Sequence, residues 1–489
     1  MAHSAQDQVL ALSAPLTLPG GLELPNRLTK AAMEEMLGRQ GIPTPADYKL
    51  YEEWARGGWG LLLTGNVQVS SRHLGTPLDI VVPDRHQPQA YEKALDAFTK
   101  WAETCHGDEP KPVPTIMQLC HTGRQSMRGS GRGVLEPSLA PSAILLKPAD
   151  SVLGWVAGSV MFGQPKAMDE KELDEVVDQF LQGALLAKKS GFDGVQLHCS
   201  HGYLLAQFMS PKTNVRTDAY GGSNLKRTKL LFRIIDAIRS EIPFSTGFAL
   251  GIKLNSSDYV KGGLTEEDAL DHVRWIAEHG GVDFIEISGG TYENPAMLGD
   301  KAPDELVGKG QAKPKKSTSN REAFFLSFAQ KARELLLSLP QESLPTPAPV
   351  VLLTGGLRTR EGMAEALLSN STDLVGLGRP ACADPSLPLK LLDASLSPQQ
   401  ARAPSYGIKH TGFGWIPFQL IGPGMSTLFH TMLLQQIVDG DTPDYRMSFG
   451  TGLWRVWLAP VLRKARLKVT LVIATLVALV YAFALKRVH

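Results

Sequence analysis

Cysteine is scarce in this chain of 489 residues. The four present, Cys105, Cys120, Cys199 and Cys382, lie far apart with no Cys-x-x-Cys pair. That spacing argues against a disulfide framework and against a zinc or iron–sulfur site. A reduced, cytosol-facing protein is the natural reading. An excess of one charge is also missing: 50 Lys and Arg stand against 49 Asp and Glu. No global field is there to attract nucleic acid. The N-terminus lacks a basic start followed by a long apolar core, so it does not read as a secretory signal. No repeat of fixed period is present. No Rossmann-type glycine fingerprint is present either, so the sequence does not choose between NADH and NADPH.

What the chain has is an alternation. Eight short, nearly continuous apolar runs occur at 27–33, 60–64, 113–119, 194–198, 250–254, 284–288, 350–354 and 374–377. Such runs suit strands buried on both faces of a parallel sheet. Amphipathic stretches at 47–56, 89–104, 170–189, 225–239, 265–279, 321–337 and 361–368 read as the helices between them. Thr265 followed by Glu266, Glu267 and Asp268 is a helix-start signature. The pattern predicts an α/β fold, a (β/α)8 TIM barrel over residues 1–400. A C-terminal extension (401–466) and a terminal apolar segment (467–489) follow it.

Chemistry in such a barrel gathers where the strands end, and the polar residues comply. Glu34, Asn66, Gln118, His198, Lys253, Asn255, Ser288, Gly355, Gly356, Gly378 and Arg379 all stand at or near the ends of predicted strands. The most specific run is His198-Cys199-Ser200-His201-Gly202-Tyr203. It delivers two imidazoles and a phenol from one strand. It precedes Arg216-Thr217-Asp218-Ala219-Tyr220-Gly221-Gly222-Ser223.

Together these motifs resemble the old yellow enzyme family, the NADH:flavin oxidoreductases, over residues 15–400. The resemblance implies FMN as cofactor and NAD(P)H as reductant. It places Ala32 and Met33 against the flavin ring and Gln118 on its pyrimidine edge. Lys253 occupies a slot where relatives carry Arg beside the ring. The phosphate falls to the loops with Gly355, Gly356, Gly378 and Arg379. His198 and His201 would hold a substrate oxygen, and Tyr203 would supply a proton. The expected activity is reduction of an activated C=C bond of enone or enal type. His121 and Arg124 are expected to be structural, and the Arg216–Ser223 run to be scaffold. Glu34 departs from the pattern, since relatives carry Cys or Thr there. A carboxylate pointing inward would disfavour reduced flavin, and an offset of one would bring Glu35 into play instead.

Two rivals follow from the same residues. One is a membrane-tethered, non-catalytic flavin-binding or scaffold protein. The other is the dienoyl-CoA reductase branch of the same barrel, which needs a cysteine cluster and a second nucleotide domain.

Near the C-terminus, residues 469–485 carry no charge, Pro or Gly. As a helix this run spans roughly 25 Å, the short end of what a bilayer core of about 30 Å requires. Lys468 and Lys486 are placed to snorkel. More positive charge precedes the run than follows it, so a single-pass transmembrane anchor in an intracellular membrane, with the barrel facing the cytosol, is expected. The partners expected are a small-molecule alkene and this membrane; a homo-oligomer is left open.

Overall fold

The structure, a computed structural model, describes residues 3–107, 112–147, 152–288, 317–404 and 421–444. Its centre is a closed parallel barrel. The strands are β1 (Leu28–Lys30), β2 (Leu61–Leu63), β3 (Thr115–Cys120), β4 (Gly194–Cys199), β5 (Ala249–Asn255), β6 (Phe284–Ser288), β7 (Val350–Thr354) and β8 (Leu374–Leu377). Each pairs with the next, and β8 returns to β1 with Val375 opposite Leu28. Closure removes every edge, so nearly every residue in these strands is buried, which is why the runs read as continuously apolar.

Helices α1 (Pro45–Ala55), α2 (Pro88–His106), α3 (Glu170–Ser190), α4 (Lys229–Glu241), α5 (Glu266–His279), α6 (Ser317–Ser338) and α7 (Arg360–Leu368) connect the strands. A short α8 (Arg379–Ala383) follows β8. Local chemistry sets their ends. Thr265 and Asp268 form a reciprocal capping box at the start of α5, and Asp169 and Glu172 do so for α3. Gly191, left-handed at φ 91°, closes α3. The stretch expected as one helix over 225–239 is two pieces, because Ser223 caps a single turn (Asn224–Arg227) before α4 begins at Lys229.

The glycines near the strand ends are packing requirements. A Cβ at Gly376 would lie 1.9 Å from Thr354 Oγ1, and one at Gly378 would lie 3.0 Å from Met33 Sδ. Strands β7, β8 and β1 therefore meet closely where the phosphate loops are expected.

Within the C-terminal extension, α9 (Ile421–Asp439) packs against α1 and α8. Thr431 Oγ1 donates to the Glu34 carbonyl at 3.1 Å. The extension thus lies against the end of the barrel that carries the site. The run 469–485, residues 289–316 and residues 405–420 lie outside the described residues. Among the described residues, no helix is long and apolar enough to cross a membrane, so the structure gives the expected anchor no support.

Candidate active site

His198, His201 and Tyr203 come together at the end of β4. The His198 ring makes edge contacts with His201 (centroids 5.2 Å apart) and with Tyr203 (4.6 Å). The turn that brings them round is strained. His201 has φ 57° and Gly202 has φ 75°, so two successive residues are left-handed. For a side chain as bulky as His this is an uncommon conformation that the surroundings must enforce. Asn255 at the end of β5 does so: its Oδ1 accepts from Ser200 Oγ (2.6 Å) and from the His201 amide (3.1 Å).

Both imidazoles are neutral at physiological pH. Burial pushes His198 well below its usual range, helped by His201 and by the Lys253 cation. Burial, and then Lys253, pushes His201 down to about 3. His198 Nδ1 accepts the Ser200 amide at 3.3 Å, which leaves Nε2 as the N–H donor. His201 Nε2 shares a 2.8 Å hydrogen bond with Ser288 Oγ at the end of β6. Two neutral imidazoles, with the His198 Nε2–H as a donor, can grip a carbonyl or phenolic oxygen without bringing a charge. The phenol of Tyr203 is 7% exposed, and its Oη accepts from Asn66 Nδ2 at 3.2 Å.

Below this set, a polar chain crosses four neighbouring strands. Gln118 Nε2 donates to Gln196 Oε1 (2.6 Å), Gln196 Nε2 to Glu286 Oε2 (2.8 Å), and Lys253 Nζ to Glu286 Oε1 (2.9 Å). All four side chains are buried. Lys253 points inward as expected, and its charge is balanced by Glu286, a partner the sequence reading did not name. Gln118 Oε1 is buried with no hydrogen-bond partner. An orphaned acceptor in a barrel core is costly, and it suits an imide N–H from outside the protein.

At the ends of β7 and β8, Gly355 and Gly356 have φ of 129° and 82°, backbone that side chains rarely adopt. Strand β8 pairs with β7 and is followed by Gly378 and the partly exposed Arg379, where α8 begins. Ala32 and Met33 follow β1 and are partly exposed.

The residue after Met33 behaves differently from its neighbour. Glu35 is locked in a buried ion pair with Lys30 (3.0 Å), accepts from Tyr51 Oη (2.8 Å), and is structural. Glu34 instead lines a small, partly open cavity with Asp47, Asn66 and Asp79. Burial, then Asp79 and Glu35, raises its carboxyl to about 8. That rise favours the neutral carboxyl near neutral pH, and so less negative charge at this position than the sequence alone suggests. Burial likewise raises Asp47 to about 7, against the lowering effect of its Thr44 hydrogen bonds.

These two carboxyls bear on stability. A raised folded-state value means the native protein keeps protons that the unfolded chain loses above pH ~4, and stability falls as pH rises through that window. We expect the melting temperature to fall between about pH 4 and pH 8 and the slope to lessen in Asp47→Asn, measured by circular dichroism. Parallel curves for the two proteins would contradict this. Arg124 donates to the Ile144 and Leu145 carbonyls, and His121 Nδ1 accepts the Gly123 amide. Arg216 ties the Pro141 and Met168 carbonyls together.

The sequence model of the NADH:flavin oxidoreductase / NADH oxidase family matches residues 11–294. The chain belongs to this family. It is 38% identical over 411 residues to the NADH-dependent flavin oxidoreductase iliE of Hypocrea jecorina, covering 81% of this chain and 94% of that one. It is 40% identical over 377 residues to the protein of the same name from Neonectria sp., covering 76% of this chain and 46% of that one. Among solved structures, morphinone reductase in complex with tetrahydroNAD superposes with a TM-score of 0.58 at 23% identity. That match covers 80% of this chain and 93% of the other, and it supports the barrel fold. As a family member the chain is an oxidoreductase that uses FMN and takes its electrons from NAD(P)H. The family places it with enzymes and against the scaffold reading.

Proposed function

We propose that the chain is an ene-reductase, reducing the C=C bond of an enone, enal or related acceptor. The observation that carries this reading is the meeting of two neutral imidazoles and a buried phenol at the end of one strand. FMN suits the surrounding groups: the orphaned Gln118 acceptor and Lys253 for the pyrimidine edge, Ala32 and Met33 for the ring, and the Gly355–Gly356 and Gly378–Arg379 loops for the phosphate. When bound, FMN supplies the hydride chemistry, taking hydride from NAD(P)H and passing it to the alkene.

The side chains do the rest. His198 and His201 hold the electron-withdrawing oxygen and draw charge toward it, which leaves the β-carbon electron-poor. Holding the oxygen also fixes the alkene's orientation relative to Tyr203. The Tyr203 phenol gives its proton to the α-carbon. The test is anaerobic incubation of the purified protein with NADH or NADPH and a panel of enones. The saturated ketone is expected, with one FMN per chain released on denaturation. A cofactor that NAD(P)H bleaches but no enone reoxidises would overturn the reading.

We also propose that residues 469–485 anchor the protein in an intracellular membrane. A second feature supports this: the uncharged helix Val152–Met161 exposes Val152, Trp155, Val156, Val160 and Met161 to solvent. Deleting residues 468–489 should move the protein from the membrane fraction to the supernatant with its yellow colour intact. Retention of the truncated protein in salt-washed membranes would show that the tail is not the anchor.

A further inference from the structure

The cavity beneath Glu34 and the phenol of Tyr203 share one residue. Asn66 lines the cavity, and its Nδ2 donates to Tyr203 Oη at 3.2 Å. That bond has two consequences. It occupies a lone pair of Oη, so the phenolic hydrogen is left to point elsewhere. It also offers a donor to the phenolate that forms once the proton has gone. We propose that Asn66 positions Tyr203 as the proton donor, and that Glu34, through the cavity behind Asn66, returns the proton after each turnover. This rests on the ene-reductase reading.

The balance is simple. Reducing one C=C bond consumes one hydride and one proton. The proton leaves Tyr203 Oη for the α-carbon and a phenolate remains. The Glu34 carboxyl gives up its proton, across water in the cavity, to Oη. The resulting carboxylate regains a proton from bulk solvent. The cavity has room for about one water. Asp47 is fully buried, lines the same cavity, and leaves Oδ1 with no hydrogen-bond partner, an acceptor suited to such a water.

Several charged groups surround Glu34. From its own segment come Glu35 and Lys30, already paired. From α1 comes Asp47, with Arg39 lowering its value; from the loop before Ile80 comes Asp79, hydrogen-bonded to Thr76 and the Gly75 amide. Helix α9 adds Thr431 on the Glu34 backbone, with His430 beside it. Burial, reinforced by the Asp79 and Glu35 carboxylates, is what raises the Glu34 carboxyl. The family's usual Thr or Cys at this position would offer no such carboxyl.

The experiment is steady-state enone reduction from pH 6 to 10 by the full chain with FMN bound. The wild-type kcat is expected to fall as pH rises through about 8, where Glu34 loses its proton. Glu34→Gln should lower kcat roughly 10- to 100-fold, the lower part of what a lost proton carrier costs, and should remove that inflection. The same substitution made in Tyr203→Phe should change kcat less than about twofold, because residues acting in series are not additive. Asn66→Ala should show the same non-additivity with Tyr203→Phe. A wild-type kcat that does not fall through this range, or equal losses from Glu34→Gln with and without Tyr203, would overturn the relay. The pH profile needs no variant, so a variant that fails to fold does not remove the test. If Tyr203→Phe alone keeps the wild-type enone rate, Tyr203 is not the acid and the relay fails; if the wild type reduces no enone, the ene-reductase reading fails instead.

Discussion

Tyr203→Phe is expected to slow enone reduction by roughly 10²- to 10⁴-fold where proton transfer limits the rate. The phenol is buried against the His198 ring, and Asn66 is bound to its oxygen. Phe keeps the ring and its packing, so the fold and the strained turn at His201 should survive. Only the hydroxyl is lost, and with it the proton for the α-carbon. The two half-reactions separate the effect. Bleaching of the flavin by NAD(P)H needs no carbon protonation and should change far less than reoxidation by an enone. Anaerobic stopped-flow absorbance reads both in turn. Equal reoxidation rates in wild type and variant would mean that another group, or water, is the acid.

The pattern of apolar runs made the barrel legible. Strands expected at 284–288, 350–354 and 374–377 occur at those bounds, because burial on both faces leaves little room for polar residues. The β1 run was read too long, at 27–33 against Leu28–Lys30. Residues after Lys30 are still mostly apolar, but they turn to line the site rather than continue the ladder. The helix Ala5–Ser13, capped by Ser4 and Asp7, went unread; its Ser-x-x-Asp start was a usable signal.

The site was legible where residues stand at strand ends and obscure where they act through space. His198, His201 and Tyr203 announce themselves in one run. Asn66 touches Tyr203 from a residue 137 positions away, and no local pattern carries that. Gln196 and Glu286 are different. Each is a polar residue in the middle of an apolar strand, a contradiction that itself signals a buried partner, since such groups are buried only with partners. The register supplies them: Gln196 lies opposite Gln118, and Lys253 opposite Glu286. Sequence gives the anomaly, and only closure of the barrel gives the pairing. Glu34 and Glu35 make the same point, being adjacent in sequence yet separated into a carboxyl raised by burial and a locked ion pair.

Glu286→Leu should be the most destabilising single change in the barrel floor. It leaves Lys253 Nζ charged, buried and without its carboxylate, and it strands Gln196 Nε2 as well. Removing one partner of a buried ion pair costs about 3–5 kcal/mol. Glu286→Gln keeps an acceptor and should cost less. The informative protein is the double variant Lys253→Met with Glu286→Leu. Two apolar side chains of similar volume should restore most of the lost stability, because a buried pair exchanged whole for apolar groups is often neutral or better. The double variant should still bind FMN poorly, since the cation proposed to face the pyrimidine edge is gone. Urea unfolding of the FMN-free proteins reads the first effect, and flavin fluorescence titration reads the second. Recovery of stability without recovery of FMN affinity would mean that the ion pair serves the cofactor rather than the fold. If the single variant unfolds within about 1 kcal/mol of wild type, well short of the cost of breaking a buried pair, then water reaches Lys253 and the pair is not the closed unit its burial suggests.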